Sequence, residues 1–197
     1  MVRSTRPRAV LAAGLVLGTG VVATLAAWTD QEFATGTFAA GTFDLEGAFT
    51  ETAGAPQFAQ HPDAASAGVL EFDLDTTNLS PGDVVQAPLA VRLAAGTTFS
   101  ALVTLANTTT GTTAGLTYGV TRLSAWGCAT AVTGTVVAPG TPVESRPGIP
   151  LGPLAAGAAG AAGAADYLCL TVTAGPGLVS GQSGTATFVF TATSQPT

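Results

Sequence analysis

Three groups of side chains in this 197-residue chain could do chemistry: one histidine, two cysteines and a short row of acids. His61 lies in the Pro- and Ala-rich stretch Ala55 to Ala67 and has no second histidine to work with. Neither a Ser-His-Asp triad nor a His-x-x-x-His zinc helix can be assembled around it, so it reads as an exposed loop residue. Glu71, Asp73 and Asp75 alternate along VLEFDLD, with Asp83 a few residues on. Carboxylates can hold Ca²⁺, which takes roughly six to eight oxygens, but no EF-hand-like or Asp-Gly loop accompanies these. Like charges in a row mark a solvated outer face, and no metal is assigned.

Cys128 and Cys169 read as one disulfide, because an isolated pair in an exported chain is most simply a structural staple. It would close a loop of about 40 residues, which the chain-entropy model makes worth on the order of 4 kcal/mol. A metal site needs more ligands than two cysteines and one histidine, and neither cysteine has a Lys, Arg or His nearby to activate it. No glycine-rich phosphate loop follows a strand. The chain is therefore read as non-enzymatic, with no catalytic residue and no cofactor.

The elements that position these residues read as strands. Gly 25 and Pro 12 punctuate the chain too often for long helices. Period-two alternation predicts strands at Val69–Asp75, Val84–Leu93, Thr97–Ala106, Leu116–Leu123, Ala131–Val137, Asp166–Thr173 and Thr185–Thr193. Ser80-Pro81-Gly82-Asp83 is a turn and Asn107 to Thr113 a Thr-rich loop. Five prolines between Pro139 and Pro153, then the Ala/Gly run to Ala165, predict a long Pro/Ala/Gly-rich loop over 138–165. The expected fold is all-β: one antiparallel β-sandwich domain spanning 28–197, jelly-roll-like.

The N-terminus reads as a helical signal peptide over 1–27. Arg3, Arg6 and Arg8 make a basic start, Ala9 to Ala27 is apolar and uncharged, and Ala26-Ala27 are small residues before Trp28. Cleavage is expected between Ala27 and Trp28 by a signal peptidase. A retained membrane anchor is the alternative, opposed by Gly14, Gly18 and Gly20. Either route puts the domain outside the cell, touching membrane only through an uncleaved leader. The chain has no lysine, and cleavage would leave three arginines against twelve acids, a net charge near −9. Such a surface excludes nucleic acid and anionic lipid as partners, since both are bound by neutralising phosphates.

Just behind the leader stand Trp28-Thr29-Asp30-Gln31-Glu32 and GTFAAGTFDL, Gly36 to Leu45, followed later by Asn78-Leu79-Ser80-Pro81-Gly82-Asp83. These motifs, over roughly the first 90 residues, resemble the TasA and camelysin family of Gram-positive exported proteins in an actinobacterial style. The resemblance implies a leader cut by a SipW-type peptidase, a jelly-roll-like sandwich, and a place at the cell surface or in the biofilm matrix. It also implies fibre assembly by insertion of an N-terminal strand into the next subunit. Camelysin is classed as a peptidase, but no HExxH exists here, so that activity does not carry over.

On this reading the assembly strand is carried by Phe33, Gly36, Phe38, Gly41, Phe43 and Leu45, with the aromatics as anchors. The same residues could instead form the first strand of their own sandwich, and the two are compatible by strand exchange. The partners expected are further copies or related surface and matrix proteins. A monomeric adhesin or carbohydrate-binding module is the alternative, resting on Tyr118 and Trp126.

Overall fold

The computed structural model describes residues 32, 34–37 and 40–195. The leader, the Ala27–Trp28 junction, Phe33 and Phe38 lie outside the described residues. By contact the chain divides into Met1–Ala39 and Ala40–Thr197. Of the first unit, Glu32 and Ala34 to Thr37 are described, and all are exposed and outside strands.

The second unit is all-β. Nine strands form it: β1 (Leu45–Thr52), β2 (Ala55–Ala59), β3 (Val84–Leu93), β4 (Ala101–Gly111), β5 (Leu116–Leu123), β6 (Val132–Pro142), β7 (Arg146–Leu154), β8 (Asp166–Ala174) and β9 (Gly184–Ser194). They pair antiparallel into a six-stranded sheet, β2-β1-β3-β8-β5-β6, and a three-stranded sheet, β7-β4-β9. Alternation explains the packing. Leu89, Val91 and Leu93 of β3, Val120 of β5 and Leu168 and Leu170 of β8 meet Ala101, Val103 and Leu105 of β4 and Leu151 and Leu154 of β7 in one core. Each fully buried Leu or Val contributes roughly 1.5–3 kcal/mol. The result is an antiparallel sandwich divided six and three, whereas a jelly roll takes eight strands through two Greek keys.

The strands expected at Val84–Leu93 and Leu116–Leu123 are β3 and β5, and those near 131, 166 and 185 are β6, β8 and β9. Four expectations are corrected. Residues 69–75 are not a strand: Leu70 and Phe72 pack on the core, but Val69 and Leu74 are exposed. The segment meets β3 at one residue, where the Asp73 N–H donates to the Gln86 carbonyl at 3.0 Å and the Asp73 carboxylate accepts the Gln86 N–H at 2.7 Å. A side chain replaces the ladder there, so the alternation is real while the pairing is absent.

Asn107 to Gly111 belongs to β4, because its threonines are good strand formers and pair with β9 as far as Gly111 opposite Gly184. The expected loop over 138–165 holds the end of β6 and all of β7. Its prolines are tolerated because β6 and β7 are both edge strands, where a missing N–H costs no ladder bond. Finally, Gly36 to Leu45 is not a continuous strand. Thr42 makes one isolated bridge to Thr97, and β1 starts only at Leu45.

One cross-link reinforces the large sheet and another ties the two sheets together. Cys128, in the β5–β6 loop, is bonded to Cys169 with the Cα atoms 5.2 Å apart. Cys169 lies between the inward Leu168 and Leu170, so the bond sits on the outer face of the large sheet. At one end of the sandwich Arg122 of β5 donates to both Asp166 oxygens, at 2.6 and 2.8 Å, and to the Leu151 carbonyl of β7 at 2.7 Å, tying one sheet to the other. Among the described residues no helix is long and apolar enough to cross a membrane.

Candidate functional site

The residues that could do chemistry are spent locally. His61 is exposed, its Nδ1 2.8 Å from the Ser66 carbonyl and its ring 5.2 Å from that of Phe49. The Asp75 carboxylate accepts from the Thr77 hydroxyl at 2.7 Å and its N–H at 2.8 Å, and these bonds hold its pKa below the usual 3.8. Asp83 accepts from Ser80 N–H at 2.7 Å, closing the Ser80–Asp83 turn in which Gly82 takes φ 104°. Among the described residues no three His, Cys, Asp or Glu side chains gather as metal ligands would.

Of the two aromatics proposed for a loop-end binding site, Tyr118 is 4% exposed and faces the core. Its hydroxyl donates to Asn107 Oδ1 at 3.1 Å, Asn107 Nδ2 donates to the Glu144 carbonyl at 2.6 Å, and burial pushes the phenol above its usual 10.0. A cavity of about 210 Å³ adjoins them, lined also by Leu105, Val137, Arg146 and Ile149. That lining offers an arginine and a phenol but no carboxylate, imidazole or thiol. Trp126 is half-buried in the β5–β6 loop, and its indole N–H donates to Glu51 of β1 at 2.5 Å.

The site with the least local explanation is a sheet edge. A strand edge presents unpaired N–H and C=O groups, and soluble proteins protect such edges with prolines, charges or short strands. Among the described strands, three of the four edges obey that rule. The β2 edge is five residues long and contains Pro56, β6 carries Pro139 and Pro142, and β7 carries Pro147, Pro150 and Pro153. β9 runs eleven residues, GTATFVFTATS, with neither a proline nor a charge, and no described strand pairs with it on the side away from β4. Its inward Phe188 and Phe190 pack on the core yet stay only half-buried.

Of the expected assembly residues in the sandwich unit, Phe43 is half-buried against the core, Leu45 opens β1 opposite Leu93, and Gly41 is exposed. Gly36, in the other unit, is exposed. The structure thus takes the last two anchors, Phe43 and Leu45, into this chain's own sandwich. The open edge of β9 is not among the sequence expectations. Its signal was there in the absence of Pro and charge across 184–194, set against the prolines of the other edge strands.

The chain matches no protein-family model, and no curated protein is significantly similar to it.

Proposed function

We propose that this is an exported structural protein of the cell surface or extracellular matrix that assembles through strand complementation, with the β9 edge as acceptor. The observation carrying the reading is that, among the described strands, β9 is the one long sheet edge left with no protective device. The donor is the uncharged stretch Phe33 to Ala40 of another copy, whose Phe33 and Phe38 would lie beside Phe188 and Phe190. An added strand contributes main-chain hydrogen bonds along the edge, and the phenylalanines set its register. Phe43 and Leu45 remain in the parent sandwich and anchor the donor arm. The disulfide is consistent with an oxidising, extracellular setting, and the TasA- and camelysin-like motifs point to the same class of protein. The adhesin alternative is left with Trp126 alone.

The test is sedimentation and electron microscopy of the processed, oxidised protein. Polymers that grow with concentration are expected, capped by a synthetic peptide of residues 28–45 and lost in Phe33→Ser/Phe38→Ser. A protein in which the arm folds onto its own β9 would stay monomeric and ignore the peptide, and that result would refute assembly.

A further inference from the structure

The outward face of the small sheet carries no charged side chain. Register places Leu102, Thr104, Ala106, Thr108 and Thr110 of β4 opposite Thr193, Thr191, Val189, Thr187 and Thr185 of β9. Pro153 and Pro150 of β7 extend the first two rows. Leu102 and Val189 are 49% and 42% exposed, yet no charged side chain belongs to this face. The single charged residue in the three strands, Arg146, stands opposite Asn107, in the row directed at the core. The whole chain carries a net charge of −6 from twelve acids and six arginines, so this charge lies elsewhere.

The geometry points to this face as a docking surface for the same face of a second copy. Two acidic molecules repel wherever their carboxylates meet, and this uncharged face is where they can approach without desolvating any of them. Small and β-branched rows on the unbroken β4–β9 ladder suit sheet-on-sheet packing at a spacing of about 10 Å. Because one patch meets itself, two copies close the interface under two-fold symmetry. Three strands at about 4.8 Å and eleven residues at about 3.4 Å give on the order of 500 Å² per copy. About 1,000 Å² in total is the lower bound for a specific contact, so the dimer is weak and reversible. The contact uses side chains rather than the β9 backbone edge, so it does not rest on strand complementation.

Sedimentation of the processed, oxidised Phe33→Ser/Phe38→Ser protein, which lacks the strand-arm anchors, tests it, with Val189→Glu and Val189→Lys added at the centre of the face and Thr108→Glu farther along it. All three substitutions are on the outward face, and unchanged thermal midpoints would certify the fold. Each variant is expected to weaken dimerisation by about a hundredfold or more, because like charges meet in a two-fold contact. Mixing the Val189→Glu protein with the Val189→Lys protein is expected to restore it. Dimerisation of Phe33→Ser/Phe38→Ser itself separates this contact from the strand arm. A Phe33→Ser/Phe38→Ser protein that stays monomeric to millimolar concentration overturns the inference, as do face variants that associate as it does. So would a monomer whose variants lose adsorption to an insoluble neutral polysaccharide, since the face would then serve another partner.

Discussion

Asn107 is 2% exposed and sits between the two sheets with both ends of its amide in use, accepting from Tyr118 and donating to the Glu144 carbonyl. Removing one partner of a buried pair leaves the other unsatisfied, at about 1–3 kcal/mol. Tyr118→Phe is expected to lower the unfolding free energy by that amount in urea titration. The phenol also sets a pH limit. Its folded pKa is raised above the unfolded value near 10.0, so its contribution is complete below that value and is lost as pH rises through the folded pKa. The parent should therefore destabilise above pH 10 more steeply than Tyr118→Phe. Asp75 works at the other end: its pKa is lowered, so its contribution holds above 3.8 and fades as pH falls further. The cysteine pair was legible from composition alone. Asn107 was not, because NTTTG carries the polarity of a loop, and only pairing with β9 makes it a strand with an inward asparagine.

Among the elements, strands with ordinary alternation were legible nearly to the residue, as β3 and β5 illustrate. The misreadings share one cause: whether a segment joins a ladder depends on its neighbour. β7 carries three prolines and succeeds because it pairs on one side only, while VLEFDLD alternates cleanly and pairs at a single residue. The β1–β2 hairpin was unsignalled because its turn uses Ala53 and Gly54, at φ 52° and 76°, in place of Asn-Gly. Arg122 donates two bonds to Asp166 within its own sheet and one to Leu151 of the other, and its partly buried pair with Asp166 makes it an element-level tie. Arg122→Gln should cost about 2 kcal/mol, the scale of hydrogen bonds to charged groups, read from the urea midpoint. Cys128→Ser/Cys169→Ser should cost about 4 kcal/mol, as expected for a closed loop spanning 41 residues. The parent under reductant should move to the same midpoint.

For the whole molecule, the sequence made the β class and the charge imbalance plain, while the edge left open and the face left uncharged emerge only from strand order. Both proposed contacts join processed copies that repel through their net negative charge, three arginines against twelve acids. Salt screens that repulsion, with a Debye length of about 10 Å at 0.1 M. Self-association is therefore expected to strengthen between low and moderate ionic strength in light scattering. A surface that bound through ion pairs would respond in the opposite sense.

The proposed matrix or surface role would put the domain under tension, and the cystine decides how it stretches. Cys128 follows β5 and Cys169 lies in β8, adjacent strands of the large sheet, so tension applied to the chain ends crosses from one to the other through the sulfurs. β6 and β7, one from each sheet, lie off that path. Pulled singly, the oxidised domain should yield a contour shorter by about 140 Å than the reduced one, from 41 residues at about 3.5 Å each. The bond thus converts a long stretch of an extensible chain into a fixed knot, and a thiol reductant becomes a control on its compliance.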